Sequence, residues 1–149
     1  MKRKAIVCDI DSTILDSRFI IREIHELGLK GDEKWAYFYE NCNSDRVEVI
    51  SEMKTLLFSF WINDVTIIFS TARNKKCYDE TVKKFSKEGI YFDKLLMRKD
   101  GDLRPANEIK REHIEIVKRM DYDVIAFIDD DLQNCEMAKE LGILALRRV

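Results

Sequence analysis

Short unbroken apolar runs recur along the chain between segments of helical spacing. Ala5-Ile6-Val7-Cys8, Val65 to Phe69 and Val124 to Ile128 are each bounded by polar turn-formers, and predict buried strands of a parallel sheet. Asp93 to Met97 and Ile143 to Leu146 predict two shorter strands. Between them, Val49, Ile50, Met53, Leu56, Leu57 and Phe60 keep helical intervals from about Asp45 onward. Further helices are predicted over Asn74 to Lys87, stopped at Gly89, over Glu108 to Met120, and over Leu132 to Leu141, stopped at Gly142. Asp32 is placed to cap a helix whose Trp35, Phe38 and Tyr39 share one aromatic face, a pattern that reads as core. The stretch before it, through Gly28-Leu29-Lys30-Gly31, mixes polar and apolar residues. Strands separated by helices imply right-handed crossovers, hence an α/β domain of three layers with a central five-stranded parallel sheet over residues 1–149.

Two of the strands end in acids: Asp9-Ile10-Asp11-Ser12-Thr13 after the first, Asp129-Asp130-Asp131 after the fourth. Carboxyl ends of strands in open α/β sheets line the ligand crevice. Acids remote in sequence can therefore converge there, and converging carboxylates call for a hard divalent cation. Asp9 and Asp11, two apart on extended chain, can face one ligand. The second strand ends Ser70-Thr71-Ala72-Arg73, which offers hydroxyls and a forked cation to an anion. A basic stretch follows the third strand (Arg98, Lys99, Arg104, Lys110, Arg111), and Lys110, early in a predicted helix, can point into the crevice. His25 and His113 belong to no motif and read as structural or solvent-facing.

Composition narrows the field little further. A formal net charge of −2 argues against a binder relying on bulk attraction to nucleic acid. The four cysteines show no metal-ligand spacing and read as reduced thiols, so a cytoplasmic location is expected. No run approaches the ~18 apolar residues of a membrane span, and no signal-peptide core follows Met1-Lys2-Arg3-Lys4.

The order of these motifs resembles the haloacid dehalogenase-like (HAD) superfamily of aspartate-nucleophile phosphatases. The resemblance implies a Rossmann-like sheet, Mg²⁺ as cofactor, and catalysis by Asp9, Asp11, Lys110 and Ser70. It also implies metal binding by Asp9, Asp11, Asp129 and Asp130, with Asp130 the direct ligand of the last pair and Asp131 a bystander. A closer likeness is to the 3′-phosphatase domain of bacteriophage polynucleotide kinase. It rests on Ser70-Thr71-Ala72-Arg73, on Leu95-Leu96-Met97-Arg98 with Gly101-Asp102-Leu103-Arg104, and on Ile128-Asp129-Asp130. The chain departs from that pattern at Ser12, where Gly is usual, and at Ala106 and Asn107, where acids are usual.

From the likeness a polynucleotide 3′-phosphatase is expected, with Thr71, Arg73, Arg18, Arg98 and Arg104 on the substrate. The alternative is a nucleotidase or small-molecule phosphatase. A receiver-like signalling domain is disfavoured by motif order, and a non-catalytic magnesium-binding module by the presence of Asp11. Some thirty residues between Asp16 and Asp45 leave room for a minimal cap or none, so an open site is expected. No G-x-x-x-x-G-K-[ST] loop is present, so any kinase or ligase would be a separate partner.

Overall fold

A computed structural model describes residues 1–149. Five parallel strands form the sheet in the order β5-β4-β1-β6-β7: β1 (Arg3–Cys8), β4 (Thr66–Asn74), β5 (Lys94–Arg98), β6 (Tyr122–Asp129) and β7 (Ala145–Arg147). Two short strands, β2 (Leu15–Asp16) and β3 (Glu48–Val49), pair antiparallel as a small flap beside it. The helices are α1 (Arg18–Glu26), α2 (Gly31–Asn41), α3 (Ser51–Trp61), α4 (Tyr78–Lys87), α5 (Ala106–Arg119) and α6 (Leu132–Glu140). The fold is therefore α/β and Rossmann-like, and none of its helices is long and apolar enough to cross a membrane.

Side-chain alternation along the central strands sorts the helices into two layers. Ile6 and Cys8 of β1, Ile67 and Phe69 of β4 and Ala126 and Ile128 of β6 face one way. There they bury against Ile20 and Ile24 of α1, Phe38 of α2, Met53 and Leu57 of α3 and Phe85 of α4. Ala5, Val7, Ile68, Val124 and Phe127 face the other way, onto Ile114 and Val117 of α5 and Met137 and Ala138 of α6. Each large side chain so buried contributes about 1.5–3 kcal/mol. The central strands are apolar on both faces because both are covered.

After β1 the chain builds outward through β4 to β5, then crosses back to add β6 and β7 on the opposite side of β1. This reversal opens a crevice between the carboxyl ends of β1 and β6. Register places Cys8 beside both Phe69 and Ile128, so Asp9, Ser70 and Asp129 emerge at one level.

Several predicted boundaries shift for physical reasons. The helix expected from Asp45 begins at Ser51, because Val49 pairs with Leu15 and the Ile50 N–H bonds the Ile14 carbonyl at 2.9 Å. The β-branched run takes extended backbone instead. β4 continues past Phe69 to Asn74 with a break in register after Ser70, and Asn74 then caps a 3₁₀ turn over Lys75–Cys77. Asp32 lies in the first turn of α2 rather than capping it. The mixed stretch holds α1, and with α2 it forms the insertion between the flap strands. Ile20, Ile24, Phe38 and Cys42 anchor that insertion in the core.

Candidate active site

The site begins with a tight reversal after β1. The Ile10 carbonyl accepts from the N–H groups of Thr13, Ile14 and Leu15 at 2.9–3.2 Å, while the Ser12 N–H bonds the Leu15 carbonyl at 2.7 Å. Ser12 pivots this turn at φ +65°, a conformation that glycine adopts without strain and serine does not. The reversal turns the chain into the flap and leaves the Asp9 carboxylate buried at the crevice floor.

Asp9 Oδ1 accepts from Lys110 Nζ at 2.7 Å, and Asp129 Oδ2 accepts from the same ammonium at 2.6 Å. Lys110, five residues into α5, thus bridges the ends of β1 and β6 from the α5 layer. Thr13 Oγ1 lies 3.2 Å from Asp9 Oδ2 and 3.3 Å from Asp130 Oδ1, so one hydroxyl hydrogen stands between two carboxylates. Asp129 is satisfied by the protein: besides Lys110 it accepts from Asn134 Nδ2 at 3.1 Å and from the Asp131 N–H at 2.9 Å. Asp131 is structural, capping α6 through the Asn134 N–H at 3.0 Å. Asp130 is half-buried and keeps acceptor capacity free beyond the Thr13 contact.

Asp11 is held differently. Arg73 reaches it with two parallel bonds, Nε to Oδ2 at 2.8 Å and Nη2 to Oδ1 at 2.7 Å, and Ser17 Oγ donates to Oδ1 at 2.6 Å. Burial pushes the Asp11 carboxyl up, but the Arg73 charge and its hydrogen bonds outweigh burial and leave it below the usual range. Burial raises the Asp9 pKa well above the usual value; Lys110 opposes that rise and the Asp129 charge adds to it. Burial raises Asp130 as well. Burial works against the Lys110 charge, yet Asp9 and Asp129 hold the ammonium firmly protonated.

Four carboxylates face two cations here, so the cluster carries an uncompensated negative charge. Carboxylate oxygens of Asp9, Asp129 and Asp130 lie within 4.8 Å of one another. A donor set made entirely of hard oxygens fits a cation such as Mg²⁺.

Ser70 is buried and turned toward the α5 layer. Its hydroxyl contacts His113 Nδ1 at 2.8 Å, while His113 Nε2 faces the Met97 carbonyl at 3.3 Å. A carbonyl only accepts, so Nε2 carries the hydrogen and Nδ1 takes the one from Ser70. The Ser70 proton is thereby committed away from the crevice. Thr71, one residue on, is buried too; its Oγ1 accepts from the Arg73 N–H at 3.0 Å and retains a hydrogen to donate.

His113 itself has a testable consequence. Burial lowers its pKa to about 4 from 6.5. The unfolded chain then binds the extra proton between those values, so the contribution is complete above pH 6.5 and is lost as pH falls through 4. Its size is about 3 kcal/mol. The stability difference between wild type and His113→Gln, measured by urea unfolding, should shrink progressively from pH 7 to pH 4.

Arg73 is bonded wholly within the protein. It is 2% exposed, and all five of its N–H donors are taken, by Asp11, Asn43 Oδ1, Thr81 Oγ1 and the Cys42 carbonyl. No donor remains for a substrate phosphate. Arg98 bonds the carbonyls of Ala72, Asp102 and Arg104 and so pins the loop after β5, while Arg104 pairs with Asp102 and Glu112. Both brace that loop. Arg18 is exposed on the flap side, paired with Asp16 at 2.9 Å.

Two residues that sequence reasoning passed over come next to the acids. Arg147 Nε bonds the Asp130 carbonyl at 3.0 Å, and Arg148 Nη1 bonds the Ser12 carbonyl at 3.0 Å. Together they staple the two acidic loops. The available signal was position: a parallel strand laid beside β6 delivers whatever follows it to the same edge.

Comparison with known structures finds this architecture repeatedly. A chain of the Pnkp1/Rnl/Hen1 RNA repair complex superposes with a TM-score of 0.78 at 23% identity, covering 99% of this chain and 42% of that one. The class C acid phosphatase from Bacillus anthracis with tungstate bound gives 0.72 at 22% identity, covering 90% and 54% respectively. A haloacid dehalogenase-like family hydrolase from Streptococcus pneumoniae gives 0.71 at 14%, covering 97% and 84%. At these identities the likeness is one of fold, and this chain spans less than half the length of its RNA-repair neighbour. No curated protein matches the sequence. The model of HAD superfamily subfamily IIIB (acid phosphatase) matches residues 1–145, nearly the whole chain. With acids at the ends of β1 and β6 joined by one lysine, the chain belongs to the HAD superfamily, subfamily IIIB, a family of acid phosphatases.

Proposed function

We propose that this chain is a magnesium-dependent phosphomonoesterase that works through an aspartyl-phosphate on Asp9 and removes 3′-phosphates from polynucleotide ends. The observation that carries the chemistry is the Asp9 carboxylate, held by Lys110 and Thr13 at the crevice floor, with Asp11 fixed two residues away by Arg73. Asp9 attacks phosphorus and the ester P–O bond breaks. Asp11 gives its proton to the departing oxygen, then takes one from the water that attacks the acyl phosphate, releasing inorganic phosphate and restoring Asp9.

Asp9 and Asp130, with the backbone carbonyl of Asp11, would hold the cation. At ~4 Å two like unit charges repel by about 4 kcal/mol at an effective dielectric near 20, and a bound Mg²⁺ supplies charge neutralisation against that repulsion. Lys110 adds a fixed positive charge, and the free Thr71 hydrogen supplies a donor for a phosphoryl oxygen. Because Asp11 is a carboxylate in the free protein except at acid pH, the first step is favoured on the acid side.

The substrate end rests on two supports. The insertion between the flap strands is anchored in the core instead of standing as a separate lid, which suits a bulky phosphoester. The RNA repair neighbour has the same fold, and a separate kinase or ligase is a fitting partner for such an end-healing activity. The test is phosphate release from matched 3′-phosphorylated and 5′-phosphorylated oligonucleotides, a 3′-mononucleotide and p-nitrophenyl phosphate, with and without EDTA. The 3′-phosphorylated oligonucleotide should have the highest kcat/KM, and EDTA should stop turnover until Mg²⁺ is restored. A preference for the mononucleotide would assign the chain to small phosphoesters.

A further inference from the structure

A cavity of about 500 Å³ lies outside the acid cluster, on the flap. Its lining is Asp16, Arg18, Phe19, Arg22, Arg46 and Glu48, three arginines against two acids. Arg18 and Arg22 stand one turn apart on α1 and so project along the same face. Arg18 is neutralised by Asp16, whereas Arg22 is exposed and makes no ion pair or side-chain hydrogen bond. Arg46 pairs with Glu23 and lies over the Phe19 ring, 4.5 Å from its centroid.

The cavity lies on the segment that leads away from the acid cluster. Asp16 and Arg18 form its near wall, and the Asp130 carboxylate acts electrostatically on Arg18 while Arg148 acts on Asp16. The chain that leaves Asp11 reaches Asp16 in five residues, through the flap strand β2. A group docked in the cavity is thus a neighbour of a group docked on Asp9.

We propose that this flap cavity is a phosphodiester subsite, in which Arg22 receives the backbone phosphate adjoining the terminal nucleotide of a single strand and Arg46 offers its outer guanidinium plane to a base. A forked guanidinium matches a phosphate, and an arginine plane backed by an aromatic ring makes a stacking platform indifferent to base identity. The free charge on Arg22 calls for a second anion beside the scissile phosphate, which a strand supplies and a small phosphoester does not. The inference rests on the nucleic-acid reading of the active site and gives that reading a specific gripping residue.

Binding of a fluorescein-labelled single-stranded oligonucleotide ending in a 3′-hydroxyl, followed by anisotropy, measures the subsite without any phosphate to hydrolyse. Wild type should bind in a salt-dependent manner. Arg22→Gln should weaken binding about fivefold, the loss of one exposed charge-assisted contact, and reduce the salt slope by about 0.7. Turnover of p-nitrophenyl phosphate should be unchanged in that variant. Arg46→Ala should weaken binding without the same change in salt slope. Undetectable binding by wild type, or binding by Arg22→Gln equal to wild type, overturns the subsite. If oligonucleotide binding depends on Arg22 while 3′-phosphate is not released, the subsite stands and the proposed reaction falls. If 3′-phosphate is released and Arg22→Gln binds as wild type does, the reaction stands and the subsite falls.

Discussion

Asp9→Asn should release no measurable phosphate, with kcat lowered by about four orders of magnitude or more, the scale of losing a covalent nucleophile. The variant should nevertheless fold. Lys110 keeps Asp129 at 2.6 Å, and the amide remains within reach of Thr13. Removing a buried carboxylate also relieves the desolvation that raises its pKa. A melting temperature within a few degrees of wild type is therefore expected. Loss of activity alone would not separate a nucleophile from a metal ligand, since Asp9 serves both roles in the proposed mechanism. Borohydride quenching during turnover provides the separation, because it reduces an aspartyl-phosphate to homoserine. Wild type should yield homoserine at position 9 by peptide mass. Unmodified Asp9 under conditions of rapid turnover would mean that phosphate goes directly to water.

Much of the acid cluster was legible because strand ends are legible. An apolar run that stops at a carboxylate fixes both the element and the edge at which the carboxylate emerges, so Asp9, Asp129 and Asp130 could be placed together before any coordinates. Lys110 followed from its place early in a helix behind a turn. The hydroxyl pair at the end of β4 was a different matter. Ser70 and Thr71 are chemically alike, and which of them faces the crevice depends on strand parity. Parity is set by what packs on each face: Phe69 against α4, and Ser70 against His113 of α5.

The arginines show the same limit. Arg73, Arg98 and Arg104 all read as phosphate grips, because charge in a sequence does not reveal its partner. Arg73 is taken by Asp11, by oxygens of Cys42 and Asn43 just after α2 and by the Thr81 hydroxyl of α4, and only the last is near it in sequence. The flap strands left no periodic signal at two residues each, and neither did the Arg147 and Arg148 staple, which exists only because β7 lies beside β6.

Replacing Arg73 should have the largest effect on stability. Its guanidinium is buried and fully bonded, so Arg73→Ala leaves the partly buried Asp11 carboxylate without its cation and Asn43, Thr81 and the Cys42 carbonyl without their donor. Breaking a buried pair in this way costs about 3–5 kcal/mol, or on the order of 10 °C in Tm. Arg73→Lys keeps the charge but cannot reproduce two parallel bonds to Asp11, so it should fall between alanine and wild type. The second readout is kinetic. Asp11 must be protonated to donate to the leaving oxygen, so kcat/KM falls as pH rises through its pKa in the free protein. Arg73 holds that pKa below the usual carboxylate range against the opposing effect of burial. Weakening the clamp lets burial dominate, and the descending limb of the pH profile should move to higher pH in Arg73→Lys. A purely structural arginine would lower the amount of folded enzyme without moving the limb. A limb that stays in place while Tm falls would therefore remove Arg73 from any part in setting the Asp11 proton affinity.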